Sequence, residues 1–304
     1  MTLEQLLDRF DGVERSVVVV NRTDPDPVLN MLVDTFGDDA VRVVDESVTK
    51  CHISDGDSVF SGDGSAGPAI DVDALRRNDA VPFDGDDPED VENLALLVEG
   101  DEVVAGSTLG DLGDAVLFVN SDLYMTGSRS LDDIDLPAVI TGLDDTTFTL
   151  RGYPESNRQK LLLITISRFI EQAAWTAGDG TLRSSFQRLS RIDDEVGTRE
   201  VYERVAATGV DTHLYGVPDH LPRDLDAVVH AGDTRDFTDS WFVVYRPPEG
   251  TSPVDADPGN HLGRGIDGGV GLLAVETEPR VWRGMWTFDP DRVSAINRYV
   301  ERRL

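Results

Sequence analysis

The stretch from Val210 to Phe288 limits the fold more than any other. Five short segments rich in β-branched and aromatic residues follow one another there, between two capped helices. Val210–Tyr215 (VDTHLY), Ala227–His230 (AVVH), Trp241–Tyr245 (WFVVY), Val270–Glu276 (VGLLAVE) and Val281–Phe288 (VWRGMWTF) are predicted strands. Ahead of them, Ser156 and Gln159 form a capping box, and Leu162, Ile166, Phe169, Ile170 and Ala173 follow at helical spacing up to Gly178. Behind them, Asp289-Pro290 reads as an N-cap with proline at the first helical position, opening a helix through Val293, Ile296 and Val300. Strands in such number must bury a face against helices, so the chain is expected to be α/β, a mixed sheet with packed helices.

The remaining elements extend this pattern. Thr181–Ile192 is predicted helical, because Leu182, Phe186 and Leu189 fall on one helical stripe; Thr198–Thr208 is a second helix stopped by Gly209. Upstream, Ser16–Val20 and Val41–Val44 read as strands flanking a helix from Asp24 to Phe36. Ser54–Asp90, rich in Gly, Asp and Pro, reads as solvated loop. Leu94–Val98, Glu102–Ala105 and Ala115–Val119 read as strands, with a helical turn at Thr108–Leu112 and a connection through SDLYMTGSRSLDD and PAVITGLDDTTFTLRGYP. The helix start after Pro154 divides the chain into two α/β subdomains, an acidic N-terminal region at 1–150 and a second domain at 151–304.

Charge separates the halves as well. The whole chain carries −31, of which 1–150 hold −26 and 151–304 only −5. Lysine occurs only at Lys50 and Lys160, so arginine supplies almost all cations. Asp-rich, Lys-poor surfaces suit a high-salt interior, where screening shortens to about 3 Å at 1 M and self-repulsion fades. The acidity therefore points to a halophile's habitat more than to a partner. A single cysteine, Cys51, excludes an intrachain disulfide and fits a reducing compartment. No apolar run reaches the ~18 residues of a membrane helix, and the N-terminus lacks the form of a signal peptide. A soluble cytoplasmic protein is expected, with no membrane partner.

The motifs of catalysis and cofactor binding are thin. Gly263-Arg-Gly265-Ile-Asp-Gly268 fits G-x-G-x-x-G, but a strand follows it where a dinucleotide fingerprint needs a helix. Walker A and G-x-S-x-G sequences are absent, and the Asp spacing misses the EF-hand loop. His52, His213, His220, His230 and His261 form no H-x-x-x-H pair and read as surface or strand histidines. Asn21-Arg-Thr23 is a formal sequon that reads as a strand-to-helix turn. No catalytic residue, metal ligand or cofactor is expected.

Two features point to binding. On the strand Val281–Phe288, Trp282, Gly284, Trp286 and Phe288 share one face, and the glycine leaves a gap between two indoles that a planar ligand could enter. Core packing against the long helix accounts for the same pattern and is preferred. Trp241 and Tyr245 on another strand fall in the same region. The second feature is the arginine-rich stretch FQRLSRIDDEVGTREVYERV. Thr181–Val205 holds five arginines and five acids, net zero. A duplex-binding face needs uncompensated cations, so nucleic acid is disfavoured and structural ion pairing preferred, with an anion pocket between them. The candidate ligand-binding residues are Arg188, Arg191, Trp241, Trp282 and Trp286.

SFQRLSRIDDEVGTREVYERVAATGVDTHLYGVPD, DSWFVVY, VGLLAVE and WRGMWTFDPDRV together resemble the DICT sensory domain over about residues 155–304. With VVVVNRTDPDPV and VLFVNSDLYMTG, the whole chain looks like the standalone haloarchaeal members of that family. The resemblance implies a non-enzymatic sensory module in signal transduction, binding a small-molecule ligand or a protein. Because the chain has no cyclase or kinase motif, a separate kinase, cyclase or regulator would supply the output. The alternatives are a small-molecule enzyme with a pocket near Arg188, Arg191, Trp282 and Trp286, and a DNA-associated transcriptional regulator.

Overall fold

The computed structural model describes residues 1–22, 27–36, 41–44, 60–61, 69–70, 72–79, 81–83, 85, 92–100, 102–119, 136–151, 157–194, 197–248 and 266–304. The fold is α/β. Its contacts define two compact units: Val13–Leu117 with Leu136–Thr146, and Met1–Gly12 with Phe118–Asp135 and Thr147–Leu304. The larger unit thus recruits the first twelve residues as well as the C-terminal half, a division that a single cut near residue 150 does not describe.

In the smaller unit, β1 (Ser16–Val20) leads through the helix Pro27–Phe36 to β2 (Val41–Val44). β3 (Phe60–Ser61) and β4 (Ala69–Ile70) form a separate two-residue ladder, followed by the helix Val72–Arg77. β5 (Leu94–Glu99) and β6 (Glu102–Thr108) make a hairpin whose turn begins at Gly100, φ +62°. The main sheet runs β2-β1-β5-β6, parallel only between β1 and β2. Val18, Val20, Leu94, Leu96 and Val98 bury one cluster with Leu75 and Val81. Arg15 closes the unit: Nη1 donates to the carbonyls of Gly142 and Asp144 and pairs with Asp144 Oδ1, while Nε meets Glu99 Oε2 at 2.9 Å.

Two expectations fail in the first half. Ala115–Val119 is not a strand: Leu109–Val119 is helical, started by Thr108, whose Oγ1 accepts from Asp111 N. A five-residue apolar run satisfies either period, and the Thr-x-x-Asp start decides it. The helix Val72–Arg77 also lies inside the stretch read as loop. Most of that stretch falls outside the described residues, as do Cys51 and His52 ahead of it and the capping residue Ser156.

The larger unit is built on a seven-stranded sheet. Its strands are β7 (Phe148–Arg151), β8 (Thr181–Arg188), β9 (Asp211–Val217), β10 (Val228–Ala231), β11 (Ser240–Arg246), β12 (Val270–Glu278) and β13 (Val281–Thr287), in the order β10-β9-β8-β11-β12-β13-β7. β8, β9 and β10 are parallel, and every other pairing is antiparallel. The strands alternate as period two demands. Phe242, Val244, Leu273, Val275 and Met285 pack on one face with Leu3, Leu6 and Leu7 of an N-terminal helix (Leu3–Leu7) and with Val293, Ile296 and Val300 of the closing helix (Pro290–Arg303). Asp289 caps that closing helix by accepting from the amides of Asp291 and Arg292. The long helix Asn157–Ala177 lies on the other face, where Trp241 Nε1 donates to Ser167 Oγ at 3.1 Å.

Thr181–Arg188 is the main correction in this unit. It is a strand, and the following turn carries a one-turn helix at Arg191–Asp194. Leu182 and Phe186 are four residues apart, a spacing that puts both on one face in a helix and in a strand alike. The decisive information is long-range. Arg183 is buried in the sheet because Asn297 and Tyr215 receive it, with Nε 3.0 Å from Asn297 Oδ1 and Nη1 2.7 Å from the Tyr215 hydroxyl.

Candidate functional site

β8 is the strand at which the sheet order reverses. From β8 the chain passes through the helix Thr198–Ala206 to β9 and β10 on one side; it then returns through the short helix Arg235–Thr238 to β11 on the other. The first helix packs with the long helix, while Phe237 of the second joins the core of the opposite face. Connections leaving to opposite faces open a crevice beyond the C-terminal end of the strand between them. A cleft of about 270 Å³ occupies that position, lined by Gln187, Arg188, Arg191, Val217, Thr238, Glu276 and Trp282. Its volume lies just below the ~300 Å³ at which pockets for drug-sized ligands begin, so it suits a small molecule.

Gln187 forms the floor. It is 7% exposed and takes a left-handed backbone, φ +51°, where the β8–β9 register breaks between Ser185 and Arg188. A non-glycine residue pays about 1–2 kcal/mol for that conformation, which persists only where the surroundings fix it. The side chain supplies that fixing: Nε2 donates to the Ser240 carbonyl at 2.5 Å, and Oε1 accepts from Arg191 Nη1. Arg191 is thereby held against the floor. Arg188 is different. Its side chain is 65% exposed, and its nearest carboxylate, Asp219, lies 3.6 Å away. Asp219 is already engaged by the Ser190 amide and hydroxyl and by the His220 amide. Burial acts to raise the Asp219 carboxyl, but those donors outweigh it and keep the group below its ordinary value. Opposite the arginines stands Glu276, whose Oε1 accepts from the Arg280 amide at 2.7 Å.

Of the five residues singled out from the sequence, three meet here: Arg188, Arg191 and Trp282. Trp241 lies under the long helix, bonded to Ser167. Trp286 is 2% exposed and packs on Phe148 at a ring separation of 5.9 Å. The gap at Gly284 is filled, not open. A Cβ there would sit 2.6 Å from Phe148 Cζ and 2.7 Å from Ala274 Cβ, so no planar ligand fits between the indoles. Gln187, Val217, Thr238 and Glu276 were not foreseen. Gln187, Val217 and Glu276 come from three different strands and Thr238 from the short helix Arg235–Thr238, and only the tertiary fold brings them together.

The other arginines of the segment are engaged structurally. Arg199 meets Asp193, Glu203 and the Arg223 carbonyl, and Arg204 approaches Glu200 at 3.4 Å. The uncompensated basic helix face that duplex binding requires is not formed by these residues. A buried polar network lies beneath the long helix: Arg168 donates to Glu171 and to Thr198 Oγ1, and the Tyr202 hydroxyl donates to Glu171 Oε1 at 2.7 Å. Burial, then the Glu171 charge, pushes the Tyr202 phenol well above its ordinary value.

Among the described residues no group of three or more His, Cys, Asp or Glu side chains is placed to hold a metal ion. No helix among them is long and apolar enough to cross a membrane. Compared with known proteins, the chain matches no family model, no curated protein and no solved structure.

Proposed function

We propose that this chain is a non-enzymatic sensory module of a halophile's cytoplasm. It binds a small anion in the cleft beyond β8 and passes its ligand state to a separate signalling protein. The observation that carries this reading is the cleft's position at the strand where the sheet order reverses, with two arginines on its rim and floor. Arg191, pre-set by Gln187, offers a fixed guanidinium, and Arg188, only loosely held, closes on the ligand. Trp282 and Val217 give an apolar wall. Glu276 selects a ligand that also carries a hydrogen-bond donor and disfavours a polyanion. In high salt only such direct contacts discriminate, because distant charge is screened.

The test is thermal unfolding of the full chain in concentrated KCl against a panel of small carboxylates and monophosphates. A ligand present at 100 times its dissociation constant adds about 2.7 kcal/mol, a rise of several degrees in Tm. At least one compound should stabilise the wild type and leave the Arg188→Ser variant unmoved. Equal shifts in both proteins, or none across the panel, count against the cleft.

A further inference from the structure

On the sheet face turned away from the long helix, Asp211, His213 and Tyr215 project from β9 at a spacing of two, and His230 stands beside Tyr215 on β10. His213 Nε2 lies 2.9 Å from Asp211 Oδ2, and His213 Nδ1 lies 2.9 Å from His230 Nε2. The His230 ring stacks on Tyr215 at 4.3 Å and 6°. Hydrogen-bond chemistry then fixes both tautomers. An ionised carboxylate only accepts, so His213 Nε2 carries a proton and His213 Nδ1 accepts. His230 Nε2 must donate, which leaves the lone pair on His230 Nδ1.

We propose that Asp211, His213 and His230 form a proton-binding site that takes up a single proton, at His230 Nδ1, and so couples ambient acidity to the β9–β10 edge of the sheet. Adding that proton from solvent breaks no hydrogen bond in the chain. Two protons between His213 Nδ1 and His230 Nε2 would set two donors face to face at 2.9 Å, so one proton lies between them. The groups facing it come from every neighbouring element. β9 supplies Asp211 and Tyr215, and β8 supplies Arg183, bonded to the Tyr215 hydroxyl. The closing helix supplies Asn297 and Glu301, both on Arg183, and the helix Arg235–Thr238 supplies the apolar ring of Phe237. A charged His230 therefore confronts Arg183 across the Tyr215 ring, and the strain reaches the closing helix through Asn297.

Burial, then His213 and Arg183, hold His230 below the ordinary histidine value, with Asp211 opposing. The sign follows: the folded state binds this proton less readily than the unfolded chain. The contribution to stability is complete above about pH 6.5 and is lost as pH falls through the lower folded value. This site is independent of the cleft.

The experiment is an imidazole NMR titration of the full chain in concentrated KCl from about pH 8 to about pH 5, the range in which histidine charges. His230 should titrate with a midpoint below the ordinary 6.5. Thermal unfolding over the same range should show a fall in Tm that the His230→Gln variant largely loses and the His213→Gln variant, whose amide still accepts, retains. A His230 midpoint at or above 6.5, two protons taken up together, or an equal fall in Tm in His230→Gln would overturn the proposal.

Discussion

Replacing Gln187 with alanine should destabilise the larger unit and release Arg191 from the cleft floor. The magnitude follows from the two hydrogen bonds lost. The bond from Nε2 to the Ser240 carbonyl is neutral and contributes about 0.5–1.5 kcal/mol, and the bond accepted from Arg191 is charged and contributes about 1.5–3 kcal/mol. Ser185 Oγ also approaches the Ser240 carbonyl at 3.4 Å, so that acceptor is not wholly abandoned. The expected loss is therefore about 2–3 kcal/mol, a fall of roughly 4–12 °C in Tm. All four tryptophans, Trp175, Trp241, Trp282 and Trp286, lie in the larger unit, so intrinsic fluorescence during urea unfolding follows that unit alone. Gln187→Gly serves as an internal control, because glycine relieves the left-handed backbone and should recover up to about 1 kcal/mol relative to alanine. An Arg191→Ala background should shrink the effect of Gln187→Ala by about 1–2 kcal/mol. A loss below about 0.5 kcal/mol, the scale of an ordinary surface change, would refute the reasoning. So would full additivity with Arg191→Ala.

Three further outcomes follow from the same structure. Glu171→Gln removes the carboxylate that serves both buried Arg168 and Tyr202, and should cost about 3–5 kcal/mol in urea unfolding; a cost under 1 kcal/mol would mean the pair is readily replaced by solvent. Gly284→Ala drives a methyl group into Phe148, Ala274 and the Leu273 carbonyl, and should lose about 1–3 kcal/mol by overpacking; a neutral result would show that β7 and β13 yield there. Burial, then Asp179, pushes the Tyr245 phenol up to about 12. Its stabilising effect is complete below the unfolded value of about 10 and is lost as pH rises through the folded one. Tyr245→Phe should therefore flatten the alkaline limb of the unfolding curve, and an unchanged limb would exclude this tyrosine as its source.

The sequence made the scaffold legible where local signals agree. The long helix, the closing helix with its Asp-Pro start, and the strands around Trp241, Val270 and Val281 each carry period, cap and composition together. It misled where one spacing serves two periods, as at Leu182 and Phe186, and where a short apolar run such as AVLFV has no period at all. The site was only half visible. Arginines and tryptophans stand out in an acidic, aromatic-poor chain, so Arg188, Arg191 and Trp282 attracted notice. Which tryptophan faces a cleft and which the core depends on Phe148 filling the space over Gly284, a contact between strands far apart in sequence. Gln187 had no signal, since its importance lies in a backbone angle and in a carbonyl from another strand.

The claim that the cleft beyond β8 is the sensing site is tested most directly by equilibrium dialysis in concentrated KCl. The full chain and its Arg188→Ser/Arg191→Ser variant are dialysed against the same small-molecule cell extract, and the retained compounds are identified by mass spectrometry. The wild type should retain a small anion near one equivalent per chain, and the variant should lose it while its fluorescence still reports a folded larger unit. Retention of nothing by the wild type, or of the same compound equally by both proteins, would contradict the account.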